Sequence, residues 1–249
     1  MTRPAPRLVG VDGCPGGWLA CLIDAGGVRP PEIRLFPRFA EILAEDPVIV
    51  AVDMPIGLPD RIGPGGRGPE RLVRPLLGMR QSSVFSIPSR AAVYAGEGGE
   101  ERGAYAAACV AALATSEPPK KVSKQGFHLF PKIRELDRLL TPDLAVRVVE
   151  SHPEVAFTVL NGGRPMGLAK KVKNRPNPPG LEERRGLLAA HGLPRELTAA
   201  RPPRGAGPDD LLDACVLALV AGRIARGAAV SFPAVPARDG RGLPIAITA

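Results

Sequence analysis

The chain has 249 residues, of which 45% are hydrophobic, 23% charged and only 4% aromatic, and its formal net charge is +8. That apolar share is enough for one full core and excludes wholesale disorder, while so few aromatic residues leave little for stacking bases. No run of about 18 apolar residues is present, which excludes a membrane-spanning helix, and Cys14, Cys21, Cys109 and Cys215 form no CxxC pair, which points to buried thiols in a reducing cytoplasm.

Residues 1–7 lack the apolar stretch of a signal peptide. Leu8, Val9, Gly10 and Val11 read as a first strand ending at Asp12, followed by a Gly-rich turn over 13–17. Residues 18–23 form a second apolar run, and 32–36 alternate as a half-exposed strand does; short Gly- and Pro-containing loops make the three an antiparallel meander. Phe39, Ile42 and Leu43 recur at helical spacing. The continuous apolar run 48–52 marks a strand buried on both faces, and it ends at Asp53. Residues 60–98, rich in Gly, Pro and Arg, give no clear element. Ala-rich 101–115 and then 133–140 read as helices, 144–149 as a buried strand ending at Glu150, and 153–160 and 181–190 as short helices. The strongest helix is 208–226, with aspartates at its start and Gly227 just past its end. The Pro-rich tail from 231 holds one short apolar run, 245–247. The expected organisation is a single α/β domain over 1–249, with a helical and loop insertion at roughly 60–140.

Three strands thus end in an acid: Asp12, Asp53 and Glu150. Ligands of open α/β sheets gather at the carboxyl ends of the strands. Asp210 and Asp213, three apart on the last helix, share one face. Carboxylates converging there would repel one another unless a cation neutralised them, and all-oxygen ligation suits Mg²⁺ or Mn²⁺. Two such ions can clamp both oxygens of a phosphodiester displacement. Set against this, Asp12 and Asp53 can each cap a turn, and Asp209 and Asp210 can serve the helix start, Asp209 above all. Asp213 is harder to dismiss, because it stands among Leu211, Leu212, Ala214, Cys215 and Leu217, where a lone carboxylate is costly. The segment 164–185 carries seven Lys and Arg residues, including Lys170 and Lys171, and Lys120, Lys121 and Lys124 form a second basic cluster; each reads as a phosphate contact or as a solvated face. His152 beside Glu150 is a candidate base or a structural residue at a helix start.

Several segments, in order, carry a wider likeness. They are Val9-Gly10-Val11-Asp12-Gly13-Cys14-Pro15-Gly16-Gly17-Trp18, Val52-Asp53-Met54-Pro55-Ile56-Gly57-Leu58-Pro59 and Ser83-Val84-Phe85-Ser86-Ile87-Pro88-Ser89-Arg90, then Ser123-Lys124-Gln125 and Pro131-Lys132-Ile133-Arg134-Glu135. Glu150-Ser151-His152-Pro153-Glu154, Gly180-Leu181-Glu182-Glu183-Arg184 and Asp209-Asp210-Leu211-Leu212-Asp213-Ala214 complete the set. Together they resemble a family of predicted nucleases with a ribonuclease H-like fold, known as domain of unknown function 429. The resemblance implies a five-stranded mixed sheet, three strands antiparallel and two parallel, flanked by helices. It implies a divalent-metal-dependent nuclease that hydrolyses phosphodiester bonds of DNA or RNA, with Asp12, Asp53, Asp210 and Asp213 as ligands of Mg²⁺ or Mn²⁺ and Glu150 assisting catalysis. Asp-x-x-Asp-Ala on the last helix is similar to the pattern of Holliday-junction resolvases, in which Glu stands where this chain has Asp53. Lys124, Gln125 and Arg90 lie in the shared segments and are expected to contact substrate, as are Lys170 and Lys171. The alternative is a non-catalytic metal- or phosphate-binding module of the same fold that acts through partners.

Overall fold

Strands β1 (Arg7–Cys14), β2 (Gly17–Asp24) and β3 (Glu32–Phe36) form the expected antiparallel meander. In this computed structural model, which describes residues 6–249, β1 runs through Asp12 to Cys14, because the hairpin pairs Cys14 with Gly17. Residues 1–5, part of the segment read for a leader, lie outside the described residues. Helix α1 (Phe39–Ala44) leads to β4 (Ile49–Val52), which lies parallel to β1.

The insertion contains α2 (Pro69–Val73), a 3₁₀ stretch (Arg74–Ser83), α3 (Arg90–Tyr94), α4 (Glu101–Ala114), α5 (Lys124–Phe127) and α6 (Phe130–Leu139). It ends at β5 (Val148–Glu150), parallel to β4, and the sheet order is β3-β2-β1-β4-β5. The strand expected over 144–149 is therefore short. Leu144–Val146 is a 3₁₀ turn whose backbone is bonded locally, Leu144 N–H to Thr141 Oγ1 at 3.2 Å and Arg147 N–H to Leu144 O at 3.0 Å. Then come α7 (Pro153–Leu160), the short ribbon β6 (Lys171–Val172) and β7 (Arg175–Pro176), α8 (Pro178–Ala190), α9 (Arg195–Ala199) and α10 (Pro208–Ala225). The tail forms a hairpin of β8 (Ser231–Arg238) and β9 (Pro244–Thr248). Pro233 and Pro236 hide β8 from a reading by propensity. An irregularity between Phe232 and Ala237 accommodates them outside the ladder.

Alternation along the strands sorts the side chains into two layers. Val9, Val11, Val50 and Val52 face a core built with Trp18, Phe39, Phe130 and Ile133 from the meander, α1 and α6. Leu8, Cys21 and Ala51 face the other core, against Ala214, Leu217 and Ala218 of α10 and Val155 of α7. Trp18 is fully buried, its Nε1–H donates to Glu135 Oε2 at 3.0 Å, and its ring meets Phe39 edge-on at 5.1 Å. All four cysteines are unpaired and buried, and no helix of the described residues is long and apolar enough to cross a membrane.

Gly10 determines how close α10 can come. A Cβ added there would stand 2.0 Å from Ala218 N and 2.2 Å from Ala214 O, so the helix backbone rests directly on the strand. Gly10→Ala should therefore destabilise the protein by about 3 kcal/mol or more, at or beyond the upper end of ordinary overpacking, because backbone and not a flexible side chain must move. Urea unfolding of the variant checks this, and a loss below about 1 kcal/mol would contradict the close seating.

Candidate functional site

Register delivers the acids. In parallel β1 and β4, Val11 pairs with Val52, and the Asp53 N–H continues the ladder to Val11 O at 2.9 Å, so Asp12 and Asp53 are neighbours at the strand ends. Asp12 shares a face with Leu8 and Gly10, the face covered by α10. Asp213 lies one turn before Leu217 on that helix, and the Gly16 N–H bond to Gly205 O at 2.9 Å ties the β1–β2 turn to the loop that starts it. The result is a pocket of about 380 Å³ lined by Asp12, Asp53, Asp209, Asp210 and Asp213, faced by an apolar wall that includes Met54, Val84, Phe85 and Leu129.

The electrostatics are strained. Burial, then Asp213 and Asp53, pushes the Asp12 carboxyl well above the usual aspartate range. Burial pushes Asp53 and Asp213 each up to about 7, and raises Asp210 as well. Neither Asp12 nor Asp53 receives a side-chain hydrogen bond from any described residue, and the buried Oδ1 atoms of Asp209 and Asp213 have no partner. The opposing charge comes from the basic segment. Lys170 pairs with Asp213, and Lys171 reaches Asp209 Oδ2 at 2.5 Å. Burial alone would lower the Lys170 ammonium, but Asp213, Glu154 and Asp12 outweigh it and hold the charge on. Lys171 begins an exposed two-stranded ribbon and Lys170 precedes it, its carbonyl accepting from Asn177 N–H at 2.9 Å; Lys173 and Asn174 have φ of 48° and 60°, as a two-residue type I′ turn requires.

Of Glu150, Arg90, Lys124 and Gln125, only Glu150 lines the pocket. It pairs with Val52, so its side chain leaves the sheet on the other face from Asp12 and Asp53. Its carboxylate is taken up by Arg67, at 3.0 and 2.5 Å, and by the Ile56 N–H at 2.6 Å, which fixes the loop after Asp53 at the pocket's edge. Arg90 binds Asp137 and, at 2.6 Å, Asp239, away from the pocket. Lys124 pairs with Glu101 at 2.7 Å on the surface, and Gln125 is exposed beside it; neither lines the pocket. The helix start also differs from expectation. Gly207 is the cap residue, the Asp210 carboxylate reaches back to its N–H at 2.7 Å, and Asp209 is buried against Lys171 instead of capping.

Two participants were not singled out in the sequence. Arg67 joins Glu150 to Glu70 (2.8 Å) and is almost wholly buried. Glu154, which lines the pocket, is clamped by buried Arg184 at 2.7 and 2.9 Å. An Arg and a Glu far apart in sequence give no local signal of such a pair. His152 also lines the pocket. Burial lowers its pKa, its Nε2 contacts Ser83 O at 3.4 Å, and its buried Nδ1 has no partner. A carbonyl can only accept, so Nε2 carries the hydrogen and Nδ1 is a bare acceptor.

The Mg²⁺ or Mn²⁺ implied by the resemblance fits this donor set in kind: hard carboxylate oxygens, several without a donor, in excess over the available cations. The side chains as they stand do not clasp an ion. Among the described residues no three His, Cys, Asp or Glu groups form a cluster able to hold one, and Lys170 is the cation paired with Asp213. The repulsion has a measurable consequence. The folded-state value of Asp12 lies above its unfolded value near 4, so ionising it costs stability as pH rises past that value. In chelator, Asp12→Asn should gain on the wild type by about 1 kcal/mol or more between about pH 5 and about pH 8, read by urea unfolding. An unchanged difference would mean that Asp12 is not under charge stress.

The model of the family described as protein of unknown function (DUF429) matches residues 10–238. No curated protein and no solved structure matches the chain. With nearly its whole length matched, including both strand-end aspartates and the acids of α10, the chain belongs to the DUF429 family.

Proposed function

We propose that the acid pocket is the centre of a divalent-metal-dependent phosphodiesterase of ribonuclease H-like architecture that acts on nucleic acid. The observation that carries this reading is the meeting of Asp12 and Asp53, side by side on parallel strand ends without hydrogen-bond donors, with Asp213 on the helix seated over them. A sheet with three antiparallel strands continued by two parallel ones agrees with it. Mg²⁺ or Mn²⁺ held by Asp12, Asp53, Asp210 and Asp213 would supply Lewis-acid polarisation of the phosphate and an acidified water.

The chain's own groups divide the remaining work. Lys170 and Lys171 place positive charge at the rim of an otherwise acidic pocket, which draws in a phosphate that the carboxylates alone would repel. The apolar wall gives sugar and base a surface away from the acids. His152, whose Nδ1 is a bare acceptor, would serve as a base only for a water admitted to that buried atom. Glu150 acts through Arg67 as a positioning residue that fixes the Asp53 loop. The Lys170–Asp213 pair favours one second reading, a phosphate-binding module of the same fold that acts through partners without catalysis.

Mn²⁺ titration followed by calorimetry and melting temperature, with wild type and Asp12→Asn side by side, separates the two. The phosphodiesterase reading expects saturable Mn²⁺ uptake that the substitution abolishes. It also expects cleavage of at least one member of a panel of single- and double-stranded DNA and RNA, reduced on the order of 100-fold or more in Asp12→Asn and in Asp213→Asn. Phosphate-dependent binding without Mn²⁺ uptake or cleavage, unaffected by Asp12→Asn, would replace it with the module.

A further inference from the structure

The basic cluster at 120–124 has no place in the acid pocket, and the structure divides it. Lys124 turns to Glu101, whereas Lys120 and Lys121 line a second groove of about 510 Å³. Both lysines are exposed and form no ion pair among the described residues. No acidic side chain lines this groove. Arg74, Gln81, Ser82, Ser86 and Ser123 complete its polar surface. Arg74 is locked from behind, its Nε donating to Val84 O at 3.1 Å and its two Nη atoms to Gly65 O at 2.6 Å and Ser86 Oγ at 2.9 Å. Its charge is therefore fixed at the groove without being neutralised.

Val84 and Phe85 line this groove and the acid pocket alike, so the two cavities adjoin at these residues. Lys170 and Lys171 pair with acids of the pocket itself. The acid pocket thus holds its own two lysines and adjoins a groove with three further cations. One phosphate monoester would occupy the acid pocket and leave the groove unused. A groove that holds three cations and neutral donors, and no acid, is complementary to a further phosphate on the same molecule. Its volume falls within the range of sites that hold small-molecule-sized groups.

We propose that this groove holds the phosphate backbone of a nucleic-acid strand that runs on past Val84 and Phe85 from the acid pocket, so that the ligand is an oligonucleotide and not a mononucleotide. The inference rests on the phosphodiesterase reading of that pocket. Lys120 and Lys121 neutralise backbone charge, Gln81 and Ser123 donate hydrogen bonds to it, and the contacts are to backbone rather than to base edges, which makes them tolerant of sequence.

The test uses the full chain in chelator and fluorescein-labelled single strands of about 12 nucleotides, DNA and RNA, with anisotropy read across salt concentrations. K120A/K121A should weaken binding about tenfold near 0.1 M salt and flatten the log–log salt dependence by about 1.4, because each single-strand phosphate contact contributes about 0.7. R102A/R201A, which removes two exposed arginines outside both cavities, should leave the salt slope within error of wild type. Equal affinity and slope for K120A/K121A and wild type would overturn the proposal, as would a wild type that binds neither strand. The Mn²⁺-dependent melting shift keeps the two readings apart. Loss of slope in K120A/K121A alongside a wild type indifferent to Mn²⁺ supports the groove and overturns the metal centre. An intact Mn²⁺ response with an unchanged slope overturns the groove alone.

Discussion

The closeness of α10 to β1 is the constraint on which the rest of the molecule turns. With no side chain at Gly10, the helix backbone lies on the strand, and two residues further along the same face that contact brings Asp12 opposite Asp213. A larger residue at position 10 would lift the helix and separate the acids. The site is thus a by-product of packing: the helix is held by Leu212, Leu217, Ala218 and Val220, all fully buried. Each large apolar side chain contributes about 1.5–3 kcal/mol, and together they hold carboxylates in a proximity that the carboxylates themselves oppose.

Two kinds of buried acid coexist around the pocket, and their difference is informative. Glu150 meets both Nη atoms of Arg67, and both oxygens of Glu154 meet Nη2 of buried Arg184, so each has a fixed guanidinium beside it, although burial still pushes Glu150 up to about 7. Asp12 and Asp53 have no such donor, and Asp209 and Asp213 each keep one oxygen without a partner while a flexible lysine answers the other. Arginine in a fork is a fixture, whereas an ammonium on a long stem can move aside. The frame is therefore neutralised permanently and the centre only provisionally. That is the arrangement of a site kept ready for a ligand, since leaving a buried carboxylate unanswered costs stability and does nothing for the fold.

Much of this was legible in the sequence because hydrophobic period and strand-end chemistry are local. The meander, the buried run before Asp53, the last helix and four of the five pocket aspartates all follow from residues near one another. Glu150 shows the limit. It ends a strand as Asp12 and Asp53 do, but its register partner is Val52, so it faces the opposite layer, and register between strands about a hundred residues apart is set by tertiary pairing. Arg90 and the Lys124–Gln125 pair likewise serve packing and surface contacts here, whereas Val84 and Phe85 of the Arg90 segment wall the pocket. Arg67 was not singled out, and Arg184 was named only within a basic segment and a shared one, because arginines in loops and amphipathic helices look solvated until the fold supplies a carboxylate. The β8 strand was hidden by its prolines.

The chain's net charge of +8 gains meaning only once it is mapped. In the fold, aspartates meet around the ends of β1 and β4, Lys170 and Lys171 pair with acids of the same pocket, and Arg74, Lys120 and Lys121 line the groove that shares Val84 and Phe85 with it. A protein that only needed solubility would intersperse its charges. Here one groove holds cations without acids and adjoins a pocket rich in acids. A small anion would be served by the lysines at the rim alone. The second basic groove is explained by a ligand with more than one phosphate, long enough to span both cavities, and that length is the property that distinguishes a nucleic-acid strand from its monomers.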